Sequence, residues 1–297
     1  MNRPRLLAIA GLLLNAFIWG LSWLPFRWLD ERGLQSLWTT TLIYLIASTL
    51  IALTVMVQRP TSTQSATPRR NHDLVWLAVA AGLSSACFNW AVTIGSVVRV
   101  ILLFYLMPIW AILLARWLLR EPITSNAVLR IALALAGAVI VLWRPDLGMP
   151  IPQTLPDCLA IIGGAAFALT NVMLRRLSNV RSMTCAQAMF VGAWGIAGLL
   201  ATLLAIQGVL SWPSPEPTRW LPGALVFALV FLMANLGLQY GAARLPANVT
   251  AIVMMSEVVF ATGSSIAFGN ERLTMALMLG GALVLSAAWL SARESVA

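Results

Sequence analysis

Ten apolar segments of about 20 residues, separated by polar or proline-rich connections, dominate this sequence. They do not alternate between apolar and polar residues, so they predict helices rather than barrel strands. Only 10% of the residues are charged, against roughly 25% in soluble domains. We therefore predict an all-α integral membrane protein with ten transmembrane helices, at 6–28, 34–57, 74–95, 99–118, 126–143, 157–176, 184–208, 220–242, 247–268 and 273–291.

The basic residues predict an orientation and exclude one class of protein. Every one of the 19 basic residues is an arginine, so the sequence lacks the lysine of a nucleotide-binding P-loop. The arginines lie in short connections, which indicates a topology signal rather than a nucleic-acid surface. With the N-terminus inside, twice as many fall on the cytoplasmic side as on the external side. Both termini are therefore predicted to be cytoplasmic.

The two halves of the chain repeat each other. A shift of 150 residues aligns the first five segments with the last five without a gap, and places Glu121 and Thr124 on Glu271 and Thr274. Because five is an odd number of spans, the two halves must enter the membrane in opposite orientations. Inverted repeats are typical of transporters, with the site near the midplane between them. We predict two inverted five-helix repeats, 1–147 and 148–297, around a central cavity.

Two stretches resemble a known family. The stretch "NWAVTIGSVVRVILLFYLMPIWAILLARWLLREPIT" (89–124) resembles the first EamA-type repeat of the drug/metabolite transporter (DMT) superfamily, and "LQYGAARLPANVTAIVMMSEVVFATGSSIAFGNERLT" (238–274) resembles the second. Within that superfamily, "LLFYLMPIW" and "AFIWGLSW" look closest to the YddG-like aromatic amino-acid exporters. The resemblance implies ten helices around a central cavity and export across a bacterial inner membrane.

Glu257 is the acid near the middle of a segment that is otherwise apolar. A charge at this depth is expensive, so it is expected to face a partner or a water-filled path. As a cavity carboxylate it would attract a substrate ammonium group or take up a proton. As a structural residue it would be protonated or hydrogen-bonded and would hold two helices together. Both interpretations remain open at this point.

Other polar and aromatic residues also lie at membrane depth and are expected to face the interior of the bundle. They line a substrate cavity or form hydrogen bonds between helices. With Glu257, the candidate cavity residues are Asn15, Trp19, Ser85, Asn89, Trp90, Tyr105, Asn171, Asn235, Gln239 and Tyr240. Trp19 and Trp90 are chosen among the deep tryptophans because they lie near Asn15 and Asn89, and their rings are suited to stacking on an aromatic or cationic solute.

Backbone features of the apolar segments give further expectations. Pro108 interrupts the fourth segment, where a kink would either gate the cavity or fix its shape. The glycine pairs 163–164 and 280–281 predict close approach of helices. Arg99, at the end of a short external turn, is interpreted as a snorkelling or topology residue rather than a substrate clamp.

These patterns favour a transporter over an enzyme. The one histidine, His72, lies in a predicted loop, and no pair of acids lies within the apolar segments. No cofactor and no metal site is predicted, and the expected partners are a small-molecule substrate and the lipid bilayer, without nucleic acid. We expect a monomeric inner-membrane exporter of aromatic and other neutral amino acids and related metabolites that works by alternating access. An exporter of lipophilic cationic drugs is the alternative.

Overall fold

The computed structural model describes residues 3–57, 68–120, 125–142, 151–177, 179–242, 244–245, 253–254, 256–269 and 272–294. In these ranges the regular structure is helical and no strand occurs, which confirms the all-helical prediction for this part of the chain. The α-helices are α1 (Arg3–Leu21), α2 (Trp23–Asp30), α3 (Ser36–Val57), α4 (Pro68–Ile94), α5 (Val97–Phe104), α6 (Met107–Leu114), α7 (Ser125–Leu142), α8 (Leu155–Arg176), α9 (Ser182–Ile206), α10 (Leu221–Ala242), α11 (Ser256–Phe268) and α12 (Met275–Glu294).

A helix lies in each of the ten predicted apolar segments. Among the described residues, seven helical stretches are long and apolar enough to cross a membrane, and two shorter apolar stretches lie at Ile131–Ile140 and Met275–Ala287. In the segment predicted at 247–268, the described residues 253–254 and Ser256–Phe268 are helical. The motif residues Glu121, Thr124 and Glu271 lie outside the described residues.

The fourth apolar segment is divided near its proline. Helix α5 ends at Phe104, and α6 begins at Met107 with Pro108 in its first turn. Proline has no amide hydrogen, and the first turn of a helix is the place where none is needed. The break therefore precedes Pro108, and the side chain of Pro108 lies outside the described part of the structure.

Glycines allow the closest helix crossings. A Cβ atom on Gly11 of α1 would lie 2.7 Å from the carbonyl oxygen of Gly237 on α10. A Cβ atom on Gly164 of α8 would lie 2.5 Å from the carbonyl oxygen of Phe104, and one on Gly137 of α7 would lie 2.6 Å from that of Gly280. The predicted close approach at both glycine pairs is confirmed. Only glycine fits at such short distances between backbones.

Two ion pairs connect α8 to helices of the first half of the chain. At its start, Asp157 accepts hydrogen bonds from Arg99 Nε (2.6 Å) and Nη2 (3.1 Å). Asp157 also forms a capping box with Thr154. At the end of the helix, Arg176 Nη2 lies 3.1 Å from Asp73 Oδ1, near the start of α4. Arg99 therefore has a defined carboxylate partner, which the sequence interpretation did not include.

We predict that Gly192→Ala lowers thermal stability, because the new Cβ atom on α9 would lie 1.8 Å from the carbonyl oxygen of Ala78 on α4. Because the two helices must move apart, the free energy of unfolding should fall by about 1–3 kcal/mol, as it does when other cores are overpacked. The matched control is Gly195→Ala on the same helix, where a Cβ atom meets nothing within 4 Å. There the better helix propensity of alanine should raise stability by about 0.5–1 kcal/mol. Melting curves of the two variants in detergent check the prediction, and equal shifts would contradict it.

Candidate functional site

Aromatic side chains form a continuous series through the helix bundle. The contacts of Trp19 on α1 to Phe88 on α4 (6.1 Å between ring centroids) and to Phe231 on α10 (4.9 Å) lie in the middle of this series. Trp19 therefore joins a helix of the first half to one of the second. In order, the rings are Phe167, Phe104, Phe88, Trp19, Phe231, Tyr44 and Phe190.

Two hydrogen bonds connect α4 to α3 beside these rings. Ser85 donates to the hydroxyl oxygen of Tyr44 (3.2 Å), and one turn later Asn89 donates to the hydroxyl oxygen of Thr40 (3.1 Å). Ser85 and Asn89 thus lie together on one face of α4, directed at α3. The amide oxygen of Asn89 is buried and has no hydrogen-bond partner in the part of the chain that the structure describes, so the amide keeps an unused acceptor.

Glu257 lies in the first turn of α11, against α1. The backbone carbonyl oxygen of Glu257 would lie 2.8 Å from a Cβ atom on Gly20. Its side chain is half-buried, and its carboxylate accepts no hydrogen bond from the part of the chain that the structure describes. Tyr105, in the break between α5 and α6, is buried and within electrostatic range of this carboxylate. No hydrogen bond joins these two described side chains.

Asn15 on α1 has the least satisfied side chain among the candidates. It is 0% exposed, and among the described residues neither its amide nitrogen nor its amide oxygen has a hydrogen-bond partner. It lies one helical turn from Trp19, on the same face of α1. A buried amide with two unused hydrogen-bonding groups costs free energy, so a water molecule, an ion or a solute is expected to bind beside it.

Comparison with known proteins identifies the family. The model of the EamA-like transporter family matches residues 6–143 and again residues 154–293. This chain belongs to the EamA-like transporter family. The family is part of the DMT superfamily, and its members are membrane proteins, so the apolar helices of this EamA-like protein form a multi-pass membrane domain. It is a transporter and not an enzyme.

Individual relatives of this EamA-like transporter are distant. An uncharacterized transporter of Helicobacter pylori (strain J99 / ATCC 700824) is 22% identical over 246 residues, which is 81% of this chain and 80% of that protein. A crystal structure of a protein superposes with a TM-score of 0.56 and 18% identity, covering 98% of this chain and 99% of the other. That likeness shows the fold alone.

The structure does not bring all candidate residues of this transporter into one network. Asn171 is exposed on α8, and the amide of Asn235 donates to the carbonyl of Phe231 in its own helix (2.9 Å). Tyr240 lies under the guanidinium of Arg244 at 3.7 Å, in a separate apolar cluster with Leu12. Half-buried Trp90 packs against two apolar clusters, and the side chain of Gln239 lies outside the described part of the structure.

The residues missed by sequence reasoning are mainly the apolar partners in this transporter's aromatic series. Tyr44 is the clearest, because it contacts Phe190 (5.5 Å) and Phe231 (5.2 Å) and accepts the hydrogen bond from Ser85. Its phenol is the polar group in the run "LIYLI", the same signal that selected Tyr105. Phe88 and Phe231 carried no such signal, since a phenylalanine in an apolar helix is typical of lipid-facing and core positions alike.

We predict that Asn15→Leu stabilises this transporter and impairs transport. Leucine has the same number and branching of side-chain heavy atoms as asparagine and leaves no unpaired amide, so the free energy of unfolding should rise by roughly 1–3 kcal/mol. If the amide binds substrate, that gain comes with weaker binding, a known trade-off at functional sites. Melting curves with and without substrate check this: substrate should protect the wild type and not the variant. A variant that is both less stable and equally protected would contradict it.

Proposed function

We propose that this EamA-like transporter exports aromatic and other neutral amino acids, and related metabolites, across a bacterial inner membrane. One observation carries the proposal. The aromatic series through Trp19 occurs in the same helix bundle as Glu257, whose carboxylate has no hydrogen-bond partner among the described residues. Trp19 and its neighbours provide rings for an apolar or aromatic side chain. Glu257 provides the negative charge for an ammonium group. The unused amide nitrogen of Asn15 provides a donor for the substrate carboxylate, and the unused amide oxygens of Asn15 and Asn89 provide acceptors for the ammonium group.

We further propose ten transmembrane helices in two inverted repeats, 1–147 and 148–297. The double match of the family model, to 6–143 and 154–293, supports two related halves. The helix pairing supports it too. The 150-residue shift makes α1 correspond to α8 and α4 correspond to α10, so the packing of α1 on α10 and the packing of α8 on α4 are equivalent. The aromatic and amide groups then lie near the midplane, where transporters with inverted repeats bind solutes. Transport is by alternating access of this cavity, in a monomer whose termini are both cytoplasmic.

The roles of the candidate residues follow from their contacts. We assign substrate contact to Asn15, Trp19, Asn89, Tyr105 and Glu257, which lie in or beside the aromatic series. Ser85 positions the ring of Tyr44. Further candidate lining residues are Trp90, Asn171, Asn235, Gln239 and Tyr240, and the break before Pro108 is the candidate gating element of the fourth span.

Export of lipophilic cations is the second candidate function. It is favoured by one observation: Trp19 of the aromatic series is followed by Gly20, which packs on the backbone of Glu257, and the apolar segments hold no deep base. A cation needs the carboxylate and the rings but makes no use of the amides of Asn15 and Asn89. The amides therefore distinguish the two classes of solute.

The experiment is uptake of labelled tryptophan and threonine into proteoliposomes, with and without an imposed pH gradient, and with a lipophilic dication as competitor. The proposal expects saturable amino-acid flux that liposomes without protein lack. Flux of the dication in the absence of any amino-acid flux would refute the amino-acid proposal and support the cation exporter. Dependence on the pH gradient tells whether the exporter is driven by protons or is a facilitator.

A further inference from the structure

A π-helix, Ala115–Leu119, follows directly on α6 at the end of the fourth apolar segment. The next residue, Arg120, closes it in the left-handed conformation (φ 58°, ψ 27°), and its backbone N–H donates to the carbonyl oxygen of Ala115. Among the described residues, Arg120 is the one non-glycine residue with a positive φ. Glycine adopts this conformation without strain at helix ends, so an arginine here indicates a function of its side chain.

The residues around Arg120 combine positive charge with exposed apolar surface. Arg116 and Arg120 are both exposed, and Trp117 between them is 76% exposed. Leu113, one turn before Trp117, is 45% exposed. Tryptophan is typical of the membrane–water interface, and arginine side chains extend from there towards the headgroups. This surface therefore provides an apolar bed for an acyl chain beside two arginines.

The π-helix packs beside the end of α8 and the start of α9. Leu114 and Leu118 pack against a buried apolar cluster that contains Val172 and Leu177 of α8 and Cys185 of α9. These contacts place the arginines at the end of α8 and at the start of α9 next to those of the π-helix. The arginines of α8 and α9 are Arg175, Arg176 and Arg181.

Two exposed polar residues of α8 lie on the side of that helix that faces α6. Asn171 and Arg175 are one turn apart and follow Gly164 by 7 and 11 positions, so the three residues share one face of α8. Gly164 packs against the carbonyl of Phe104, which precedes α6, and this face is therefore directed at α6 and the π-helix. An exposed amide in an apolar helix is costly among lipid tails, and a phospholipid ester would give it a partner.

The charges at this end of the bundle favour an anion. Among the described residues of α4, α6, α8 and α9 at this end, the one acid is Asp73, which pairs with Arg176 (3.1 Å). Glu121, next to Arg120 in the sequence, lies outside the described residues. With both acids ionised, the five arginines of the π-helix end, α8 and α9 still leave three positive charges. Clusters of roughly four to eight basic residues beside a membrane span are typical sites for anionic lipid.

We propose that the surface between the π-helix and the end of α8 binds one anionic phospholipid of the surrounding membrane. Arg116, Arg120 and Arg175 bind its phosphate, the amide of Asn171 bonds the glycerol ester, and an acyl chain lies along Trp117. In the proposed topology this site is in the cytoplasmic leaflet. A topology signal alone would explain the positive charge, but it would not require an arginine in the left-handed conformation. The inference is independent of what the transporter carries.

The test compares lipids by their effect on the melting temperature of the purified protein. The protein in a non-ionic detergent is titrated with phosphatidylglycerol, with phosphatidylcholine and with inorganic phosphate. We expect phosphatidylglycerol to raise the melting temperature saturably, and native mass spectrometry to show one retained phosphatidylglycerol per protein. Phosphatidylcholine and inorganic phosphate should do neither. Because detergent micelles have no cytoplasmic side, a role of the arginines in topology alone predicts no difference between the two lipids.

Variants at the π-helix assign the site. Arg120→Gly removes one charge and relieves the left-handed backbone, so it should raise the melting temperature without lipid and weaken phosphatidylglycerol binding about fivefold. Adding Arg116→Gln to Arg120→Gly should weaken the binding about 25-fold. The matched control is Arg219→Gln, because exposed Arg219 pairs with Glu216 beyond the opposite end of α9. This control should bind phosphatidylglycerol as the wild type does.

Three results would overturn the proposal. The first is an equal shift of the melting temperature with phosphatidylglycerol and phosphatidylcholine. The second is an equal shift with inorganic phosphate, which would indicate a site for a free anion. The third is unchanged phosphatidylglycerol binding in the protein with both Arg116→Gln and Arg120→Gly. If that protein does not elute as a single folded species, Arg116→Gln alone decides, and wild-type affinity in that variant counts against the site.

Discussion

Replacement of Glu257 by glutamine is expected to raise the KM for amino acids roughly 30- to 100-fold. This corresponds to the loss of about 2–3 kcal/mol of charge-assisted binding to the substrate ammonium group. The effect should be large because the carboxylate has no hydrogen-bond partner among the described residues, so its charge is not already committed to the protein. Concentration-dependent uptake into proteoliposomes measures it.

A role in substrate binding and a structural role for Glu257 predict different specificities. If the carboxylate binds the ammonium group, analogues that lack this group should bind wild type and Glu257→Gln equally, and only the amino acids should lose affinity. If the carboxylate only supports packing between α11 and α1, the amino acids and the analogues should lose affinity equally, and the melting temperature should fall. Glu216→Gln is the control for removal of an acid, because Glu216 is exposed and pairs with Arg219 outside the helix bundle.

The helices and their close crossings could be predicted from the sequence because both depend on local chemistry. An apolar run that satisfies its own backbone in lipid must be helical, and each predicted segment contains a helix. Small residues must lie where backbones meet, and Gly164 and Gly280 do so. The division of the fourth span was signalled by Pro108, although the break itself lies before that residue.

The partners of individual polar residues could not be predicted, because they depend on which helix faces which. Arg99 was interpreted as a topology residue, yet its partner Asp157 lies 58 positions away in the other half of the chain. Ser85 and Asn89 were expected near the cavity, and each bonds a residue of α3 that was not among the candidates. Asn171 was chosen for its depth in the sequence, but its face of α8 is exposed. The depth of a residue in the membrane follows from its position in an apolar segment, whereas the direction in which its side chain faces follows from tertiary packing.

Asp157→Ala is expected to be the most destabilising single change, by about 3–5 kcal/mol, because it leaves the Arg99 guanidinium without its carboxylate. Asp157 is 1% exposed, and the side chain of Arg99 is 14% exposed, so water cannot easily take the place of the lost partner. The substitution also removes the capping box at the start of α8. Melting curves in detergent measure the loss.

The comparison with Asp73→Ala isolates the contribution of burial. Asp73 pairs with Arg176 at the other end of α8, but 23% of that arginine side chain is exposed, so water compensates and the expected loss is about 1 kcal/mol. Replacing both partners, as Arg99→Met with Asp157→Leu, should recover most of the stability lost in Asp157→Ala, since no buried charge is left unpaired. Equal losses in the two aspartate variants would mean that the Arg99 end of α8 is as accessible to water as the Arg176 end.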